Sequence, residues 1–253
     1  MFQLGSGIMI FELENENQYK KAYFEALKYR LAYGSLEIEG IEDDLANANQ
    51  TIKIFNQLSA INHIFNMNDH KLNHYEFTNL VCEIASLVSG GEITDFRTTK
   101  AIVNGSKVER SKPSMIRNDL WYLIDDYNYM IDNAKTQDEL ISTEAIFHIR
   151  FLRIHPFEDA NGRTARILLA YNMAMHNIAP PIITKKTKEE YCECIEYNDY
   201  KRLTNLFKQL SNIELKTMVS LYNELDTKGF IESNKMTSEQ EKKYKKIIEF
   251  NEN

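Results

Sequence analysis

The chain has 253 residues, 43% hydrophobic and 26% charged, enough to bury a sizeable core in one large domain or one domain with a small appendage, which excludes disorder and a bare peptide. Nine glycines and four prolines, the latter all between Pro113 and Pro181, disfavour a turn-rich β-sandwich and point to a mostly α protein. A formal charge of -7 and a pI near 5.5 argue against a general polyanion binder, so no nucleic-acid partner is expected, yet a local anion site remains compatible with it.

Cys82, Cys192 and Cys194 form neither a disulfide framework nor a zinc pattern, which suits a reducing compartment. No run approaches the roughly 18 apolar residues of a membrane span, and the first residues lack a basic segment followed by an apolar run. The expectation is a cytoplasmic chain with no membrane partner.

From about Tyr19 to Leu31 the residues Tyr23, Ala26, Leu27 and Leu31 recur at helical spacing, and a second periodic run spans Ala46 to Phe65. Ser89-Gly90-Gly91 breaks the pattern. From Thr98 to Arg110, β-branched positions flank Asn104-Gly105, the strongest short-range hairpin signal because both turn residues need positive φ. After Pro113, Leu120, Leu123, Ile124, Tyr127 and Ile131 mark another helix face, and Thr136 with Glu139 reads as a capping box opening a helix towards Ile154.

Pro156 closes that helix, an acidic loop follows, and Arg163 to His176 resumes a strongly apolar helix that Pro180-Pro181 ends. Further helices are expected over Lys188 to Tyr197 and Tyr200 to Leu225. The organisation is thus an N-terminal segment, 1–45, packed on a core, 46–225, with a hairpin near 98–110, then a charged tail or helix, 226–253. The fold class is all-α with one short β-hairpin flap.

One place breaks the local rules of helix design. Arg163 and Arg166 fall in the first turn of a helix, where positive charge opposes the macrodipole. A bound anion resolves the conflict, and Asn161-Gly162 before them can turn the chain and present N–H groups to a phosphate. Ion pairs with Asp159 or Glu158 are the alternative. The same dozen residues hold His155, able to take a proton near neutral pH, and Asp159, an oxygen ligand suited to magnesium.

The run His155-Pro156-Phe157-Glu158-Asp159-Ala160-Asn161-Gly162-Arg163-Thr164-Ala165-Arg166 resembles the Fic family signature, HPFx(D/E)GNGRxxR. The resemblance extends over roughly Ala46 to Leu225, and Gly91 to Arg97 with the Asn104-Gly105 hairpin looks like the family's flap. It implies AMP transfer from ATP to a Ser, Thr or Tyr hydroxyl of a target protein with release of pyrophosphate. His155 would be the base, Asn161 and the loop N–H groups of Ala160 and Gly162 would stabilise phosphate charge, and Arg163 and Arg166 would hold the β- and γ-phosphates. Asp159 would hold Mg2+, and Phe157 would anchor the loop in the core.

One departure is Ala160, where the family usually has Gly; a Cβ restricts positive φ. Tyr191 and Asn198, expected on one helix face, match positions that in some members touch base and ribose. His148 is expected to be a core or hydrogen-bonding residue, since seven residues separate it from His155.

Ser35-Leu36-Glu37-Ile38-Glu39-Gly40 resembles the family's inhibitory motif, (S/T)xxxE(G/N), in the subclass with an N-terminal inhibitory helix. It implies that Glu39 pairs with Arg166, that Ser35 fixes that carboxylate by a hydrogen bond, and that Gly40 makes a left-handed cap. Removal of AMP from a modified target and a catalytically silent nucleotide-binding module are the competing readings. The flap implies an unidentified target protein bound by strand addition. Self-modification and a homo-oligomer are both compatible with the sequence.

Overall fold

The computed structural model describes residues 16–41, 48–67, 71–101, 106 and 108–233, with side chains described for all of these except 16–22, 48 and 222–233. Its helices are α1 (Glu16–Ile38), α2 (Ala48–Phe65), α3 (His74–Ser89), α4 (Ile116–Asn133), α5 (Gln137–Ile154), α6 (Asn161–Met175), α7 (Lys188–Glu196) and α8 (Tyr200–Ser233).

Helix α5 runs through the centre, packed against α4, α6 and α8. Its start is fixed by the expected capping box: Glu139 N donates to Thr136 Oγ1 at 3.2 Å while Thr136 N donates back to the Glu139 carboxylate at 3.1 Å. Ala145, Ile149 and Phe151 are fully enclosed; burying an aromatic or branched side chain of this size stabilises by about 1.5–3 kcal/mol. Helix α6 follows antiparallel after a six-residue loop, 155–160, and lies between α5 and the α2–α3 pair.

Helix α3 is absent from the sequence reading. It carries a complete capping box, Asn73 with Glu76, and a left-handed Gly90 cap at φ 71°. Helix α1 runs past Leu31 to Ile38, and α8 continues past Leu225 to Ser233. The hairpin tip Asn104-Gly105 lies outside the described residues, and the described flanks 98–101 and 108–112 form no strand.

Helix α1 is docked firmly on the core. Tyr23, Leu27, Leu31, Leu36 and Ile38 are buried, and Tyr23 Oη donates at 3.0 Å to the buried Glu214 carboxylate, which also pairs with Arg30. At Gly34 the backbone nears α1's neighbour so closely that a Cβ would lie 2.7 Å from the Ile183 carbonyl. Among the described residues, no helix is long and apolar enough to cross a membrane.

Candidate active site

The loop between α5 and α6 begins with His155, which ends α5 in the left-handed region at φ 54° while its N–H donates to the Phe151 carbonyl at 3.0 Å. Phe157 is fully buried, its ring centroid 5.6 Å from that of Phe96. The Asn161 amide clasps the loop: Oδ1 accepts from Phe157 N at 3.0 Å and Nδ2 donates to the Phe157 carbonyl at 2.9 Å. That side chain thus holds the shape of the loop.

Arg97, which the sequence reading did not single out, holds the loop from outside. Its guanidinium donates to the carbonyls of His155 at 2.6 Å, Thr99 at 2.7 Å, Ser111 at 2.5 Å and Ile154 at 3.2 Å. Its own N–H donates to the Pro156 carbonyl at 2.9 Å. One buried cation therefore satisfies the carbonyls that the end of α5 leaves without partners.

The electrostatics of His155 follow from this enclosure. Burial, then the Arg110 guanidinium, pushes its pKa down to about 4, although a ring hydrogen bond to the Leu152 carbonyl pulls the other way. At neutral pH the imidazole is uncharged, with one ring nitrogen donating to Leu152 and the other free to accept a proton.

Helix α6 starts at Asn161, two residues before the expected Arg163, with Ala160 as its N-cap in the left-handed region at φ 67°. Arg163 and Arg166 are 6% and 7% exposed. Arg163 donates to the Val88 carbonyl at 3.0 Å and to Asp159 Oδ2 at 2.7 Å, and its Nε lies 3.1 Å from Glu39 Oε2. Arg166 Nη2 donates to Glu39 Oε1 at 2.9 Å. One carboxylate thus bridges both guanidinium groups. Gly162 makes room for this, since a Cβ there would lie 2.9 Å from Arg166 Nη1.

Ser35 grips the guanidinium rather than the carboxylate: its hydroxyl accepts from Arg166 Nε at 2.8 Å and from Gln57 Nε2 at 3.2 Å. The sequence had assigned that hydroxyl to Glu39. Donors on both neighbouring side chains leave it the role of acceptor. Gly40 caps the end of α1 with φ 77°, as expected.

The profile of the Fic/DOC family matches residues 61–173. That segment is a Fic/DOC-type domain. It is 34% identical over 107 residues to the protein adenylyltransferase fic-1 of Caenorhabditis briggsae, a match covering 42% of this chain and 20% of that protein. The chain therefore spans about a fifth of that relative's length. A Fic-domain signaling protein from Bacteroides thetaiotaomicron superposes with a TM-score of 0.71 at 16% identity, covering 83% of this chain and 92% of that one. The BepC effector of Bartonella tribocorum with bound AMPPNP gives 0.52 at 14% identity, over 67% and 88% of the two chains. These structures share the fold.

Beyond the matched segment, Tyr191 and Asn198 do not share a helix face. Helix α7 ends at Glu196, and Asn198 is exposed in a left-handed turn at φ 58°. Tyr191 is instead buried between α5 and α6, 2.6 Å from His148 Nε2 and hydrogen-bonded to the Arg166 side chain. Burial, aided by Arg166, pushes His148 down to about 3, and its ring also hydrogen-bonds the Ala165 carbonyl. The neutral ring accepts the tyrosine proton, and the tyrosine oxygen accepts from Arg166.

Asp159 lies at the mouth of the site with its side chain 77% exposed. Partial desolvation raises its pKa, but the Ala160 N–H at 2.6 Å and the Arg163 guanidinium outweigh it and hold the carboxyl below its ordinary value. It is thus a charged, accessible oxygen ligand. Among the described residues no group of three or more His, Cys, Asp or Glu could hold a metal ion. A single carboxylate fits magnesium delivered with phosphates and keeping most of its waters, and does not fit an all-protein cage.

Proposed function

We propose that this Fic protein transfers AMP from ATP to a Ser, Thr or Tyr hydroxyl of a target polypeptide, itself included, releasing pyrophosphate, and that Glu39 restrains it. The observation that carries the reading is the placement of an uncharged His155 on the loop that leads directly into two buried arginines. The adenylyltransferase name of its relative and the AMPPNP on a Fic neighbour point the same way.

In this mechanism the acceptor hydroxyl gives its proton to the free ring nitrogen of His155 as its oxygen attacks the α-phosphorus. The bond from that phosphorus to the β-phosphate oxygen breaks, and pyrophosphate carries the electron pair away. Arg163 and Arg166, freed from Glu39, hold the departing charge, while the Ala160 and Gly162 N–H groups line the start of α6 where an anion is favoured. Asp159 would hold Mg2+, which when bound neutralises phosphate charge. Holding the polyphosphate still against His155 is this chain's main contribution, since phosphoryl chemistry depends chiefly on positioning and charge compensation.

Incubation with ATP labelled at the α- or at the γ-phosphate tests the reaction. AMP transfer puts the α label alone on protein; protein carrying the γ label would assign phosphate transfer instead.

A further inference from the structure

A cleft of about 560 Å³ opens beside the His155 loop, walled by residues 109–112, by α4 and by the last turn of α5. Its volume falls within the roughly 300–1,000 Å³ typical of ligand sites. The chain as a whole carries a formal charge of -7, yet Arg110, Lys112, Arg150 and Arg153 all line this cleft.

Only Arg150 has a close carboxylate partner there, Asp126 at 2.8 Å. The side chains of Lys112 and Arg153 make no hydrogen bond or ion pair among the described residues. Arg110 donates to the Ser106 hydroxyl at 3.0 Å and is attracted by Glu196, but its buried Nε has no hydrogen-bond partner. Arg153 and Arg110 lie near enough to repel one another. Glu109 and Asp119 also line the cleft but pair with none of these cations. Crowded, incompletely partnered guanidinium groups in an acidic protein are relieved by an incoming carboxylate, which arginine binds with two parallel hydrogen bonds.

The cleft's position says whose carboxylates these are. Ile154, the residue before His155, forms part of its wall, and the charge of Arg110 is felt at the imidazole. Arg163 and Arg166 do not line it. A ligand here sits on the side from which the base is approached and away from the arginines proposed to hold phosphates. Tyr122, 66% exposed, and Tyr200 add aromatic faces of the kind that anchor polypeptides.

We propose that this cleft binds an acidic segment of the acceptor polypeptide, its carboxylates on Arg110, Lys112 and Arg153, so that a hydroxyl in that segment is delivered to His155. The identity of the ligand as acceptor rests on the adenylyltransferase reading; the capture of an acidic chain does not.

Two measurements on the full chain separate these claims. In the first, fluorescence anisotropy follows a labelled oligoglutamate peptide without ATP. Arg153→Glu with Lys112→Glu is expected to weaken binding roughly tenfold or more, as reversal of two unpaired charges implies, and Arg153→Gln with Lys112→Gln to weaken it less. ATP affinity, measured on the same variants, stays unchanged and shows that they are folded. No binding to the parent, equal binding to parent and charge-reversed chain, or tighter binding of oligothymidylate lost through the same substitutions would overturn the proposal, the last assigning the cleft to nucleic acid.

In the second, a random copolymer of Glu and Tyr serves as acceptor for the Glu39→Gly chain with α-labelled ATP. The cleft substitutions are expected to raise the KM for copolymer about tenfold while leaving the KM for ATP alone. Charge-dependent peptide binding with no label transferred would uphold the cleft as an acidic-peptide site and contradict the adenylyltransferase reading. An unchanged KM for copolymer would remove the acceptor role.

Discussion

Ser35 and Arg166, 131 residues apart, meet twice: the hydroxyl accepts from Nε at 2.8 Å and the main-chain carbonyl accepts from Nη2 at 3.1 Å. Glu39 is therefore the detachable part of a larger grip. Helix α1 presents Ser35 from a buried position, whereas Glu39 follows its last turn and keeps 28% of its side-chain exposure.

Glu39→Gly should accordingly raise automodification tenfold or more, since loss of a half-buried charge pair is worth at least about 1.4 kcal/mol. Ser35→Ala should act more weakly, because Glu39 still neutralises both arginines. The check is label incorporation from α-labelled ATP; equal rates in parent and Glu39→Gly would show that the carboxylate does not restrain this chain.

The pH dependence follows from the imidazole pushed down to about 4 from an ordinary 6.5. A base works deprotonated, so kcat/KM for the Glu39→Gly chain should stay flat from about pH 8 down to about pH 5.5 and fall only as pH approaches the folded value. Stability runs in the same direction. Between the two pKa values the unfolded chain binds more protons, so this group's contribution weakens as pH drops through that window. A rate limb near pH 6.5 would contradict the enclosure described for His155.

Tyr191 sits between His148 and Arg166 and hydrogen-bonds the guanidinium from within the core, so it is a positioning residue. Tyr191→Phe in the Glu39→Gly background should raise the KM for ATP about five- to tenfold with little change in kcat, and lower stability by about 1–3 kcal/mol by leaving buried partners unsatisfied. Calorimetric titration with ATP and thermal unfolding measure the two effects. A drop in stability alone would reduce the tyrosine to core packing.

Ala160 adopts φ 67°, a region an L-residue enters at a cost of about 1–2 kcal/mol. Ala160→Gly should stabilise the chain by up to about 1 kcal/mol, a Tm rise of about 2–4 °C for this size. A lower Tm would show that the Cβ, enclosed at 2% exposure, contributes more by packing than the backbone loses.

The loop and its arginines were legible because their signature is contiguous: His155 to Arg166 is one run, and the conflict of cations at a helix start shows in the sequence itself. Thr136 and Glu139 announced α5 for the same reason, a local rule read over four residues. Arg97 was not legible, since it reaches carbonyls more than fifty residues away that no spacing rule connects. Tyr191 and Asn198 misled because seven residues share a face only while a helix lasts, and α7 stops at Glu196 before a left-handed Asn198. Helix α3 carries its own cap signals in Asn73, Glu76 and Gly90, local signs that the Ser89-Gly90-Gly91 break marks as the end of a helix.

Intact-mass measurement after incubation with ATP and magnesium tests the central claim most directly. The Glu39→Gly chain should gain the mass of one or more AMP groups, the parent far less, and the Glu39→Gly, His155→Ala chain none. An unshifted Glu39→Gly mass, or an equal gain without the histidine, would contradict the account.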